Sequence, residues 1–322
     1  MRRLNMIETG QTIKLAVLAF AVAMAAWAPS ATAAETDPLV PQAAQPYGDG
    51  LLRRLRDATM AVPGSLPSEL RYITVAESHR PRRVVLDGGS DEPYVQARTA
   101  FQLVYEDSTL MVDAGMDEAV HRTFGMGAVE PYWPERNAAV QDALAAASLI
   151  VITHEHGDHV AGVVRSPNRR AIAARTILTK AQAETLVLAP QSPLIRLTPA
   201  QAAEYRVIDY ARFHPVAPGV VLVKAPGHTP GHQMVFVRLE SGTEYLLSAD
   251  VTWALDGIAG LTQRPQATSD RIKEDRDALR HQIRWLNVVL TASGTVIVPS
   301  HDAVHLADLE RRGLITEGLV SD

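Results

Sequence analysis

From Thr153 to His159 the chain reads Thr-His-Glu-His-Gly-Asp-His, three imidazoles and two carboxylates in seven residues, directly after the apolar run Leu149 to Ile152. Such groups are costly to bury together unless something positive compensates them. Neutral imidazole nitrogens and carboxylate oxygens are the donors that a divalent cation takes, so the cluster points to metal binding. Three further stretches share its setting, a polar turn after an apolar strand: Ala225 to His232 with His228, Leu247 to Asp250, and Val298 to Asp302 with His301. If those strands lie side by side, their ends converge on one cleft, where a rigid scaffold aims loops toward solvent. The chain has no cysteine, which excludes disulfides, thiolate ligands and a Cys nucleophile. A metal here must be held by His and carboxylate.

The elements that position these groups are legible as hydrophobic runs. Tyr72 to Val75, Val84 to Leu86, Phe101 to Tyr105 and Leu110 to Val112 read as short strands of a growing antiparallel sheet. Asn137 to Ala147 has helical spacing, and Leu149 to Ile152 is a buried strand that delivers the cluster. The second half repeats the scheme, with helical Ala181 to Leu188, strands over Val220 to Val223, Met234 to Leu239 and Tyr245 to Leu247, and Ser241-Gly242 as a hairpin turn. A long amphipathic helix is expected over Ser269 to Leu290 before a last strand, Thr295 to Val298. Strands mixed with helices in both halves predict an α/β fold of two packed sheets covered by helices.

At 322 residues and 47% hydrophobic residues the chain can build a sizeable core. A formal charge of -5 with evenly scattered Lys and Arg leaves no basic stripe for a phosphate backbone, so nucleic acid is not an expected partner. Residues 1–34 read as a signal peptide: Arg2, Arg3 and Lys14 precede the uncharged run Leu15 to Ala28, and small residues follow Pro29. That run is short against the ~20 apolar residues of a membrane span, so cleavage near Ala33 or Ala34 is expected, with no stable anchor afterwards and a periplasmic or secreted product. Residues 35–67, rich in Pro, Ala and Gly, read as an N-terminal arm with one short helical stretch from Leu51 to Met60. Residues 68–322 form the expected catalytic domain.

The motif H-x-H-x-D-H, here His154, His156, Asp158 and His159, resembles the signature of the metallo-β-lactamase superfamily. The resemblance continues in order through His228, Asp250 and His301, with Asp113-Ala114-Gly115 similar to the family's early Asp-Gly turn. It implies a four-layer αβ/βα sandwich of two mixed β-sheets flanked by helices. It also implies two Zn2+ ions per chain, the first on His154, His156 and His228, the second on Asp158, His159 and His301, with Asp250 bridging both. Three imidazoles leave a zinc ion an open position, as catalysis requires. The implied function is an exported binuclear zinc hydrolase that cleaves a small ester, lactone or amide bond with a metal-bridging hydroxide, with Asp158 as the proton shuttle to the leaving group. Asp113 is expected to orient a ligand or loop from behind the site.

The remaining residues of these stretches carry bland expectations. His232 reads as a strand-edge residue outside the ligand set, the alternative being a partner that supports a ligand from behind, and Glu155, between two ligands, reads as pointing away. Gly157, Gly227 and Gly231 read as turn formers. The loops His121 to Trp133 and Trp253 to Arg264 are expected to line the substrate pocket, where Phe124, Tyr132, Trp133 and Trp253 offer apolar surface or serve as ordinary packing.

Within the superfamily, the bridging Asp250 resembles the lactonase and glyoxalase II-like branches more than true β-lactamases. The resemblance is not uniform. Quorum-signal lactonases of this pattern often carry Tyr three residues after the bridging Asp, where this chain has Trp253; only about 20 residues follow His301, short for the glutathione-binding end of glyoxalase II. A β-lactamase and a mononuclear-iron sulfur dioxygenase of the same fold are the alternative readings. Metal content separates the last from a zinc hydrolase.

Overall fold

The structure, a computed structural model, describes residues 47–321 apart from Asp49. The expected signal peptide, residues 1–34, and the first part of the expected arm lie outside the described residues. Twelve strands are present among the described residues. The first six are β1 (Glu69–Pro81), β2 (Pro93–Val104), β3 (Thr109–Val112), β4 (Leu149–Val151), β5 (Thr176–Thr179) and β6 (Arg206–Ile208). They are followed by β7 (Phe213–Ala217), β8 (Val220–Lys224), β9 (Gln233–Arg238), β10 (Glu244–Ala249), β11 (Val296–Pro299) and β12 (Thr316–Glu317). One sheet has the order β12-β1-β2-β3-β4-β5-β6 and the other β11-β10-β9-β8-β7. Both are mixed: β3 to β6 run parallel, as do β10 and β11, while β1–β2–β3 and β7 to β10 are antiparallel.

Alternating side chains build the layers. In β8 and β9, Val220, Leu222, Val235 and Val237 face the other sheet, where they meet Leu70, Phe101 and Val112. Val221, Val223, Met234 and Phe236 point the opposite way, onto the helix Arg276–Ala292 through Leu279, Ile283 and Leu286. The outer face of the first sheet is covered by the helices Pro134–Ala146, Gly157–Val164 and Lys180–Leu188. Parallel neighbours need crossovers, and these helices supply them between β3, β4, β5 and β6. The predicted four-layer sandwich is the observed one. Part of the arm belongs to its core: in the helix Leu51–Ala58, Leu51 and Leu55 are buried against the second sheet.

Three local expectations differ from the structure. Val84 to Leu86 is not a strand, because Pro81 ends β1 and Arg82–Val85 turn into one helical turn. The long helix from Ser269 is two helices, Gln266–Ile272 and Arg276–Ala292. Lys273 breaks it with φ 62°, and the Asp275 side chain caps the second helix by accepting from Ala278 N. Strands β5, β6 and β7 carry too little apolar alternation to be read in advance. The β6 strand is largely exposed, and β7 contains Pro215 on a sheet edge, where a missing N–H is tolerated.

Candidate metal centre

The strand ends converge as the sequence implied. β4 runs out into His154 and His156, and the first turn of the helix Gly157–Val164 carries Asp158 and His159. From the second sheet come His228 after β8, Asp250 after β10 and His301 after β11. Ala249, at the end of β10, has φ 47°, a left-handed conformation that L-residues seldom adopt and that is typical of functional turns. All seven predicted ligands meet at one place. Three donor groups, His154/His156/His228, His154/His159/Asp250 and Asp158/His159/His301, each have atoms within 4.8 Å of one another.

Asp250 is the hub. Its Oδ2 lies 3.1 Å from His301 Nε2, 3.3 Å from His228 Nε2 and 3.8 Å from His154 Nε2, and its Oδ1 lies 3.5 Å from His159 Nε2. It therefore touches members of both implied sites.

The tautomers show that a cation fits. His159 Nδ1 is 2.7 Å from Asp113 Oδ2, His301 Nδ1 is 2.6 Å from Ala97 O, and His228 Nδ1 is 2.7 Å from Glu274 Oε1. His154 Nδ1 is 3.1 Å from Thr153 Oγ1, whose own proton goes to Asp113. In each neutral ring the proton sits on Nδ1, so all four Nε2 lone pairs point into the cluster. His159 Nε2 and His301 Nε2 face each other at 3.3 Å, and His154 Nε2 is buried without a hydrogen-bond partner. Facing lone pairs require a proton or a metal between them. Without metal the proton serves: burial disfavours a charged His159, but Asp158, Asp113 and Asp250 outweigh it and push the imidazole up to about 9.

Behind the donors stands a set of buried acids. Asp113, left-handed at φ 64°, accepts from Thr153 N at 2.7 Å and Thr153 Oγ1 at 2.8 Å besides fixing His159. The expected orienting role of Asp113 thus has a geometry. Glu155 does point away from the donor atoms, yet it is fully engaged: its carboxylate accepts from Thr229 Oγ1 at 2.8 Å and Gly231 N at 3.1 Å, pinning the His228 loop. A Cβ on Gly231 would lie 2.6 Å from that carboxylate, so this glycine is needed for close approach.

His232 is a hydrogen-bond bridge. Its Nδ1 donates to Ala225 O at 3.0 Å and its Nε2 accepts from Asp250 N at 3.1 Å, leaving no lone pair for a metal. Burial, reinforced by His228, pushes its pKa down to about 3. An imidazole neutral in the fold but free to charge when unfolded contributes full stability above its ordinary pKa of ~6.5, and that contribution drains away as pH falls toward the folded value. In metal-free protein His232→Gln is expected to flatten the acid limb of stability by ~1.4 kcal/mol per pH unit in this window. Urea midpoints at several pH values measure it; an unaltered slope would refute the assignment.

Three partners carried no sequence signal. Glu274 sits in the break between the two helices, receives the His228 Nδ1 proton and pairs with buried Arg264. Despite burial, Arg264 and His228 hold its carboxyl well below the usual range. Glu274→Gln should lower zinc affinity ~10 to 100-fold by removing the charge that fixes His228, as competition with a chromogenic chelator would show. Arg98, on β2, forms a buried ion pair with Asp158. Burial alone would raise the Asp158 pKa, but Arg98, His159 and His301 keep it below the ordinary carboxylate range.

A cavity of about 310 Å³ opens onto His156, Asp158, His228 and Asp250. Of the four aromatic residues, Phe124 and Trp253 line it, whereas Tyr132 stacks on buried His121 and Trp133 packs under Arg136. The Trp253 indole donates to Asp250 Oδ2 at 2.9 Å and lies under the Arg264 guanidinium.

The sequence profile of the metallo-beta-lactamase superfamily matches residues 94–301, well over half of the chain, and takes in every donor named above. The chain belongs to that superfamily. Among curated proteins, it is 27% identical over 176 residues to the N-acyl homoserine lactonase AiiA of Bacillus thuringiensis subsp. kurstaki. It is 29% identical over 177 residues to an N-acyl homoserine lactonase of Bacillus cereus. These matches take in 49% of this chain, and the chain spans 65% of the length of each relative. Among solved structures, an N-acyl homoserine lactone hydrolase with N-hexanoyl-L-homoserine at its catalytic metal center superposes with a TM-score of 0.60 at 19% identity, over 76% of this chain and 96% of that one. A probable metal-dependent hydrolase from Staphylococcus aureus gives 0.56 at 12%, over 74% and 91%. At such identities the likeness shows the shared fold.

Proposed function

We propose that this protein is a binuclear zinc hydrolase that opens a lactone or small ester bond. The observation that carries the reading is the ring of inward Nε2 lone pairs around Asp250, at the floor of a cavity of small-molecule size. His154, His156 and His228 would hold one ion and Asp158, His159 and His301 the other, with Asp250 between them. When bound, the two ions would supply Lewis acidity and a water acidified to near-neutral pKa.

The chain's own groups do the rest. Arg98 and the Asp113–His159 and Glu274–His228 pairs fix the donors before substrate arrives, so little reorganisation is left for the reaction. Asp158, held ionised by Arg98, can take a proton and pass it on but not store it; that suits a relay to the leaving group better than a resident acid. Phe124 and Trp253 give the cavity an apolar wall for an acyl chain.

The curated relatives are N-acyl homoserine lactonases, which makes such lactones the first substrates to test. Zinc-loaded protein is expected to ring-open N-hexanoyl-homoserine lactone with about two zinc ions per chain by elemental analysis. One iron per chain and no ring opening would defeat the reading. Export is part of the proposal and rests on residues 1–34. A mature N-terminus just after Ala33 or Ala34, found by mass spectrometry of the periplasmic fraction, is the expected result.

A further inference from the structure

The cavity has a second polar feature, on the wall beside the donors. Gln96 and Arg98 stand two apart on β2 and so share one face of the strand. Both are buried, at 3% and 6% exposure, and both line the cavity. Gln96 Nε2 has no hydrogen-bond partner, and neither does Arg98 Nε. The other Arg98 nitrogens are spoken for, by Asp158 and by Ser78 Oγ at 3.0 Å. Buried donors without acceptors are rare in folded proteins because each forfeits its hydration. Two on one wall of a ligand-sized cavity call for an acceptor that the protein itself does not provide.

The charge balance says what kind. Arg80 is matched by Glu130 and Arg98 by Asp158. Arg271, at the same cavity, meets only the Met126 thioether at 3.4 Å and has no carboxylate partner among the described residues. Gln96 and Arg98 thus line the cavity with one unpartnered buried donor each, and Arg271 adds a cation there that pairs with none of the carboxylates Asp158, Asp250 and Glu130 around it.

We propose that Gln96 and Arg98 form a subsite for a carboxylate carried by the substrate, away from the bond that is cut. The preferred substrates are then acidic esters or lactones. This rests on the hydrolase reading above for what happens to the bound molecule, but not for the binding itself.

Two esters that differ only in a terminal carboxylate test it: mono-p-nitrophenyl glutarate and p-nitrophenyl butyrate. The zinc-loaded wild type is expected to favour the glutarate ester about tenfold or more in kcat/KM, with the difference in KM. Gln96→Met should reduce that ratio about tenfold, and Gln96→Glu, which puts a like charge in the subsite, should invert it. Calorimetric titration with glutarate, which is not turned over, should show the same tenfold weakening in Gln96→Met. Unfolding midpoints close to that of the wild type establish that the variants are folded. If neither ester is cleaved but glutarate binding weakens in Gln96→Met, the subsite stands and the hydrolase reading falls. If both esters are cleaved while the ratio and the glutarate affinity are the same in Gln96→Met as in the wild type, the subsite is wrong and the hydrolase reading survives.

Discussion

Asp250→Asn is expected to lower kcat/KM by about 10³-fold and to leave about one zinc ion per chain instead of two. The substitution keeps the side chain's shape and removes its charge, so packing is nearly undisturbed. What is lost is the anion at the hub, whose two oxygens approach His154, His159, His228 and His301. Two dications held close together would repel each other, and a carboxylate shared between them would screen both. The indole of Trp253, which donates to Asp250 Oδ2, would find a poorer acceptor in the amide. Elemental analysis after gel filtration, paired with initial rates, reads both effects. Full zinc and full activity in this variant would show that Asp250 does not bridge.

The largest stability effect is expected at Asp113. Its side chain is fully buried and accepts three short hydrogen bonds, two from Thr153 and one from His159. Asp113→Ala leaves those donors without partners and puts a Cβ-bearing residue at φ 64° without the local hydrogen bonds that help Asp tolerate it. A loss of about 3 to 4 kcal/mol follows in the metal-free protein, together with a drop of ~10 to 100-fold in zinc affinity as His159 loses its orientation. Urea denaturation and chelator competition measure the two separately. A loss below about 1 kcal/mol would mean that water replaces the carboxylate, which the closed surroundings of Asp113 do not favour.

The donor set was legible in the sequence because each member follows an apolar strand, and strand ends are fixed by the core rather than by the loops. His154, His156, Asp158, His159, His228, Asp250 and His301 are therefore where the pattern put them. The groups behind them were not legible. Glu274 lies in what reads as an unbroken amphipathic helix, and only the left-handed Lys273 and the Asp275 cap interrupt it. Arg98 and Gln96 sit in a strand whose alternation says that they face inward but not that a cavity opens there. Edge strands β6 and β7 escaped for a related reason: a strand with one free edge needs little apolar patterning to hold its place.

The donors come from both sheets, four beyond β4 and three beyond β8, β10 and β11. Metal ions held there would be a clasp across the seam of the sandwich, joining segments that are neighbours in space and strangers in sequence. The same ions that would acidify a water for the reaction would then set the spacing of the two halves, so that loading and rigidity rise and fall together.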